Sequence, residues 1–259
     1  MGDSNFPKTL YKSTRGGKIL QYQGLYEQYS RLGLTNAEDR PIAIQGLQQR
    51  LLDTMEVRGG FGILDEGEMR GLLRRSLLWC RGPDSLTPKL SRIKFSADSV
   101  PVPSWSWMAY TGGKDYPGAI DYLDLEFDTW DWEDLQSPWS QPKEEEDTSV
   151  TASPSNPTPA SDETMLVATA RDIDLDAAHE EDGDLRLDDP DTELSDATLC
   201  VVLGKAKGST SPEEQKNCVL IIAPSGALDS NGKQLYERLG TGFLPGKCIS
   251  PSGFEVRIH

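Results

Sequence analysis

Asp172, Asp174 and Asp176, with His179 close behind, are the residues of this chain whose types and spacing come nearest to a metal site. A calcium loop opens on that alternation but needs glycine at its sixth position and a bidentate glutamate at its twelfth, where Ala177 and Gly183 stand. The triplet therefore reads as the solvated end of a strand, and no metal is expected. Neither histidine reads as the oriented base of a Ser/His/Asp or Cys/His site, since His179 lies among acids and His259 is the last residue. Cys80, Cys200, Cys218 and Cys248 are too widely spaced for a zinc knuckle. They sit in apolar segments and read as buried reduced thiols, with a Cys200–Cys218 pair left open should their strands be neighbours. The run Arg58, Gly59, Gly60, Phe61, Gly62 lacks the Lys-Ser/Thr of a phosphate loop and reads as a flexible turn between helix and strand. No catalytic, cofactor-binding or metal-binding residue is nominated, and no cofactor is expected. The abundance of carboxylates fixes no geometry.

Aromatic residues offer the other chemistry. Trp105 and Trp107 stand two apart in Pro103, Ser104, Trp105, Ser106, Trp107. An extended backbone would put both indoles on one face and both serines on the other, making a plate that is either a core wall or a docking surface. Packing against the helices, with the indole N–H groups bonded to carbonyls, is the expected role. Trp130 and Trp132 lie among Asp128, Asp131, Glu133 and Asp134, a mixture that fits a partner-docking segment or an edge strand equally.

These residues need elements to hold them. Residues 24–55 show apolar spacings of three and four interrupted at Gly33, which predicts a pair of helices, the second over 37–55. Thr35 with Glu38 resembles a capping box, and Pro41 suits a first helical turn. Ser76 to Cys80 is an apolar run suited to a buried strand. Met165 to Leu175 alternates, Thr198 to Leu203 and Cys218 to Ala223 are continuously apolar, and Phe254, Val256 and Ile258 alternate again, all predicting strands. Residues 177–196 and 204–216 read as polar loops. The predicted class is α+β: an N-terminal helical pair packed on a β-rich body, as antiparallel sheet, sandwich or partial barrel, with a long disordered acidic loop. Residues 1–135 would form the helical front with the tryptophan strands, 136–163 a disordered linker rich in Pro, Ser and Glu, and 164–259 the β-rich remainder of the same body.

Charge is segregated along the chain. Residues 121–198 hold 25 Asp and Glu against 3 Lys and Arg, leaving 17 against 23 elsewhere, within a net charge of −16. Acidic loops that keep a folded domain soluble explain this most simply, and a pI of 4.5 argues against a nucleic-acid partner. No signal-peptide run opens the sequence and no stretch approaches about 20 apolar residues. A soluble cytoplasmic protein with no membrane partner is expected, its oligomeric state open.

A family resemblance emerges from several segments together. Tyr29, Ser30, Leu34, Thr35, Glu38, Asp39, Arg40, Pro41, Ile44, Gly46 and Leu47, then Gly71, Leu72, Leu77, Leu78 and Trp79, then Pro103 to Trp107 follow one another in an order that resembles the region downstream of the HET domain in fungal heterokaryon-incompatibility proteins. The likeness covers residues 6–110, more weakly 197–243 with Tyr236 to Gly240, and skips the linker. It implies a link to non-self recognition and programmed cell death. The HET domain itself would precede Met1, so this chain is expected to be a truncated product, a stand-alone paralogue or a piece of a longer protein, and no HET catalytic residue carries over. Asp39, Arg40, Trp79, Trp105 and Trp107 are the landmarks the resemblance singles out, for partner binding or for structure. Asp39 and Arg40 would form a pair or cap at the helical joint, so that Arg40→Ala lowers the melting temperature. The expected function is a non-enzymatic interaction or regulatory module with a protein partner. The alternative is a small acid-dependent enzyme, a hydrolase or nucleotide-processing protein, with its cleft in the β-rich part.

Overall fold

A computed structural model of the chain describes residues 12–67, 71–83, 89–96, 99, 101–116, 125–126, 134–139, 164–180, 183–207 and 211–259. Helix α1 (Arg15–Ser30) starts where the Thr14 side chain accepts the Gly17 N–H, and buries Ile19, Tyr22, Tyr26 and Ser30 at three- and four-residue steps. Its start lies well before Leu25, because the first two turns carry few apolar residues. Helix α2 (Arg40–Met55) follows a 3-10 turn over Ala37–Asp39 and places Pro41 in its first turn, as the sequence predicts. The capping box does not form. Asn36 and Asp39 hold the cap positions without side-chain bonds, and the Glu38 carboxylate instead accepts the Ser96 N–H.

Strands β1 (Arg58–Gly60) and β2 (Ile63–Asp65) pair around Phe61 and Gly62, both left-handed, the geometry of a two-residue hairpin turn. The glycine-rich run is thus a structured hairpin rather than a flexible turn. Gly62 is required for a second reason: a Cβ there would lie 2.0 Å from Nε1 of Trp107. Ser76 to Cys80 is not a strand. Helix α3 (Leu72–Ser76) ends in a turn at Leu77 and Leu78, and only Cys80 enters strand β3 (Cys80–Arg81). A short fully buried apolar run satisfies helix and strand alike, and here Arg74 is drawn to a distant carbonyl, Val202 O at 2.7 Å.

Short strands continue the front part: β4 (Ser91–Arg92), β5 (Tyr110–Thr111), β6 (Lys114–Asp115), β7 (Leu125–Glu126) and β8 (Leu135–Gln136). The body follows as β9 (Leu166–Ile173), helix α4 (Leu175–Glu180), β10 (Asp184–Leu187), β11 (Leu199–Ala206), β12 (Lys216–Leu228), β13 (Gln234–Pro245) and β14 (Ile249–Ile258). Neighbour pairs β11-β12-β13-β14-β9 are closed by β9 pairing with β11, which makes a five-stranded barrel, with β7 and β8 at its seam and β10 on β13. Only β13 and β14 run parallel among the barrel pairs. The protein is α+β, a helical front on a β-rich body.

Burial on both faces explains the continuous apolar runs of β11 and β12. Leu199, Val201, Leu203, Leu220 and Ile222 join one core with α1, α2 and the tryptophans, while Cys200, Val202, Val219 and Ile221 pack under α4 and β10. Cys200 and Cys218 therefore face opposite cores although their strands are neighbours, and all four cysteines are buried and outside any disulfide. Burial pushes the Cys200 thiol up to about 12. The loop predicted over 177–196 holds α4 and β10. The linker boundary also shifts: Gln136 pairs with Val167 in β9, and Trp139 packs on Trp105, so 136–139 belong to the body. Residues 140–163, Trp130 and Trp132 lie outside the described residues. No helix among the described residues is long and apolar enough to cross a membrane.

Candidate functional site

Arg238 organises the junction between front and barrel. It is 2 % exposed in β13, and its Nε and Nη2 donate to the Asp188 carboxylate at 2.9 and 3.2 Å. Nη1 donates to Leu77 O at 3.0 Å and Nη2 to Trp79 O at 2.5 Å, while the guanidinium stacks 3.2 Å from the centroid of the Trp79 ring. The backbone N–H of Arg238 donates to Ser104 Oγ. A single residue thus ties β13 to the α3–β3 turn through its side chain and to the tryptophan motif through its backbone.

The motif itself is folded, not extended. Ser106 N–H donates to Pro103 O and a 3-10 turn runs over Trp107–Ala109, capped by Ser106 Oγ, which accepts the Met108 N–H and donates to Phe61 O. Local side-chain bonding of this kind competes with a strand. The indoles consequently diverge. Trp105 meets Phe61 and Trp139 edge-on and donates Nε1 to Thr164 O at 3.0 Å, on the barrel side. Trp107 turns to Tyr26 and Tyr29 of α1, its Nε1 without a hydrogen-bond partner. Trp79 donates Nε1 to Trp105 O. All three rings are at most 1 % exposed, so they wall the core and present no face to a ligand.

Lys114 is a second buried cation, 1 % exposed, donating Nζ to Tyr110 O and Gly112 O at 2.5 and 2.8 Å. Burial, reinforced by Arg40, holds its ammonium well below the usual lysine range. Between that depressed value and the ordinary one near 10.5, the unfolded chain binds more protons than the folded one, so stability climbs with pH across this window and is lost as pH falls through the folded value. Lys114→Met is expected to flatten the rise in melting temperature between pH 7 and about 9.5, the upper limit kept below tyrosine ionisation. A variant melting curve that tracks wild type over that range would refute the assignment.

Arg40 and Asp39 do not form the pair that the resemblance suggests. Asp39 is exposed and makes no side-chain cap bond, whereas Arg40 is 3 % exposed with Nη1 donating to Ser30 O at 3.3 Å and Nε without a partner. Desolvation lowers its pKa, against a smaller opposing influence from Tyr29. Arg40 borders a cleft of about 470 Å³ formed by residues 30–34 and 111–113, with Gly33, Gly112 and Gly113 in its walls. Sequence reasoning marked Arg40 but missed the cleft, because residues 111–113 are brought there by β5 and β6.

A larger depression of about 820 Å³ lies beneath α4, lined by Asp174, Asp176, His179, Glu193 and Asp196. Asp174 is the local cap, its carboxylate accepting the Ala177 N–H, which accounts for one member of the aspartate triplet. Among the described residues no group of three His, Cys, Asp or Glu has the geometry to hold a metal ion. Compared with family models, curated proteins and solved structures, the chain matches none.

Proposed function

We propose that the chain is a non-enzymatic interaction and regulatory module related to the region downstream of the HET domain in fungal heterokaryon-incompatibility proteins. One observation carries this reading. The two separated stretches of the resemblance, residues 6–110 and 197–243, meet at Arg238, whose bonds to Leu77, Trp79 and Ser104 join landmark residues of both. A likeness distributed in this way supports kinship of a whole folding unit rather than of an isolated motif. Trp79, Trp105 and Trp107 are then structural landmarks, and recognition of a protein partner falls to the surface.

Co-expression with a HET domain in a fungal host tests the proposal. The chain is expected to change the frequency of HET-triggered cell death, and an Arg238→Met variant, expressed to the same level, is expected to lose that effect. Unchanged viability with the intact chain would count against the regulatory role. Hydrolysis of NAD or a simple glycoside by the purified protein, abolished by one Asp or Glu substitution, would overturn it in favour of an enzyme.

A further inference from the structure

We propose that the cleft formed by residues 30–34, Arg40 and residues 111–113 binds the phosphate group of a small molecule, with the Arg40 guanidinium as its anchor. Burying a cation without an opposing charge is costly, and native proteins satisfy such groups with a partner. Arg40 is 97 % removed from solvent, its Nε meets no acceptor, and its one hydrogen bond is a long 3.3 Å contact to Ser30 O. By contrast, the buried Arg238 has the Asp188 carboxylate as its counter-charge. Arg31 at the cleft mouth already pairs with Asp115, so the uncompensated charge is that of Arg40.

The cleft suits a phosphate group. Lys114 Nζ donates to Gly112 O and so fixes one wall of the cleft. A planar guanidinium also matches the oxygens of a phosphate with two parallel bonds. Glycines at 33, 112 and 113 leave part of the wall without side chains, and a volume of about 470 Å³ exceeds what a bare phosphate fills.

Thermal melting of the full chain in sodium phosphate, against sodium chloride and sodium acetate at equal ionic strength, provides the test. Phosphate is expected to raise the melting temperature saturably by roughly 3 °C, with acetate matching chloride. Adenosine monophosphate acting at lower concentration than phosphate would assign a phosphate monoester, and the reverse order free phosphate. Arg40→Met is expected to fold and to lose the response. Gly33→Glu supplies the second variant: a Cβ there meets no atom within 4 Å, and a carboxylate placed in the cleft is expected to raise the half-saturating phosphate concentration at least tenfold. A wild-type shift no larger than with chloride overturns the proposal. So does an undiminished response in Gly33→Glu or in folded Arg40→Met.

Discussion

Arg238→Met is expected to destabilise the protein by about 3–5 kcal/mol and to lower its melting temperature by on the order of 10 °C. Methionine fills much of the arginine volume, so the loss comes from what the guanidinium leaves behind. Asp188, 4 % exposed, would keep a carboxylate stripped of its hydrogen-bonded counter-charge, and Leu77 O and Trp79 O would lose their donors. The mechanism makes a second measurement decisive. Replacing both partners, Arg238→Met with Asp188→Leu, removes the stranded charge and is expected to recover at least half of the lost stability, since apolar substitutes for a buried ion pair are often tolerated. Additive losses in the double variant would mean that the pair is incidental to the junction.

The sign of the pH dependence follows from the same residues. Burial lifts the Asp188 carboxyl above its usual range, with Arg238 opposing that lift. Removing Arg238 removes the opposition and raises the carboxyl further. A folded value above the unfolded one means that the folded state keeps its proton to higher pH. The associated stability is then fully present below the unfolded value near 3.8 and is lost as pH rises through the folded value. The deficit of Arg238→Met relative to wild type is therefore expected to be smaller at pH 5 than at pH 8, measured by denaturant unfolding. An equal deficit at both would place the cost in packing alone.

Strand β13 shows why part of the architecture was hidden in the sequence. The strands β9, β11, β12 and β14 advertise themselves through alternation or unbroken apolar runs. By contrast, β13 carries Glu237 and Arg238 in mid-strand and glycines at 240 and 242, which read as breaks. Both breaks have tertiary causes. Arg238 is buried because Asp188, 50 residues earlier, reaches it, and the two glycines lie under β10, where a Cβ would stand 2.4 Å from Arg186 O and 2.7 Å from Asp184 O. Serines 104 and 106 likewise pass for spacers in the sequence, yet both are fully buried and bond backbone groups far along the chain. Arg40 was legible as a landmark but not as an unpaired charge, because a missing partner is a property of three dimensions.

Trp105→Ala carries the other large expected effect, a loss of about 3–5 kcal/mol. The ring is wholly buried, and Phe61, Trp139 and Thr164 would face the cavity it leaves. Its position gives the substitution a local signature beyond lost stability. Trp139 and Thr164 flank residues 140–163, and Trp105 touches both flanks, meeting one edge-on and bonding the carbonyl of the other. Removing the indole loosens both flanks at once, leaving the β8–β9 pairing to hold them. Amide hydrogen exchange is therefore expected to accelerate at Leu135 to Trp139 and at Thr164 to Leu166 more than in β12, whose pairing with β11 and β13 is independent of Trp105. Trp105→Phe separates the two contributions: it keeps ring packing against Phe61 and Trp139 but removes the donor to Thr164 O. The expected cost is about 1–3 kcal/mol, with faster exchange concentrated near Thr164. Uniform acceleration across barrel and flanks in both variants would show Trp105 acting as bulk core rather than as the clasp between these two segments.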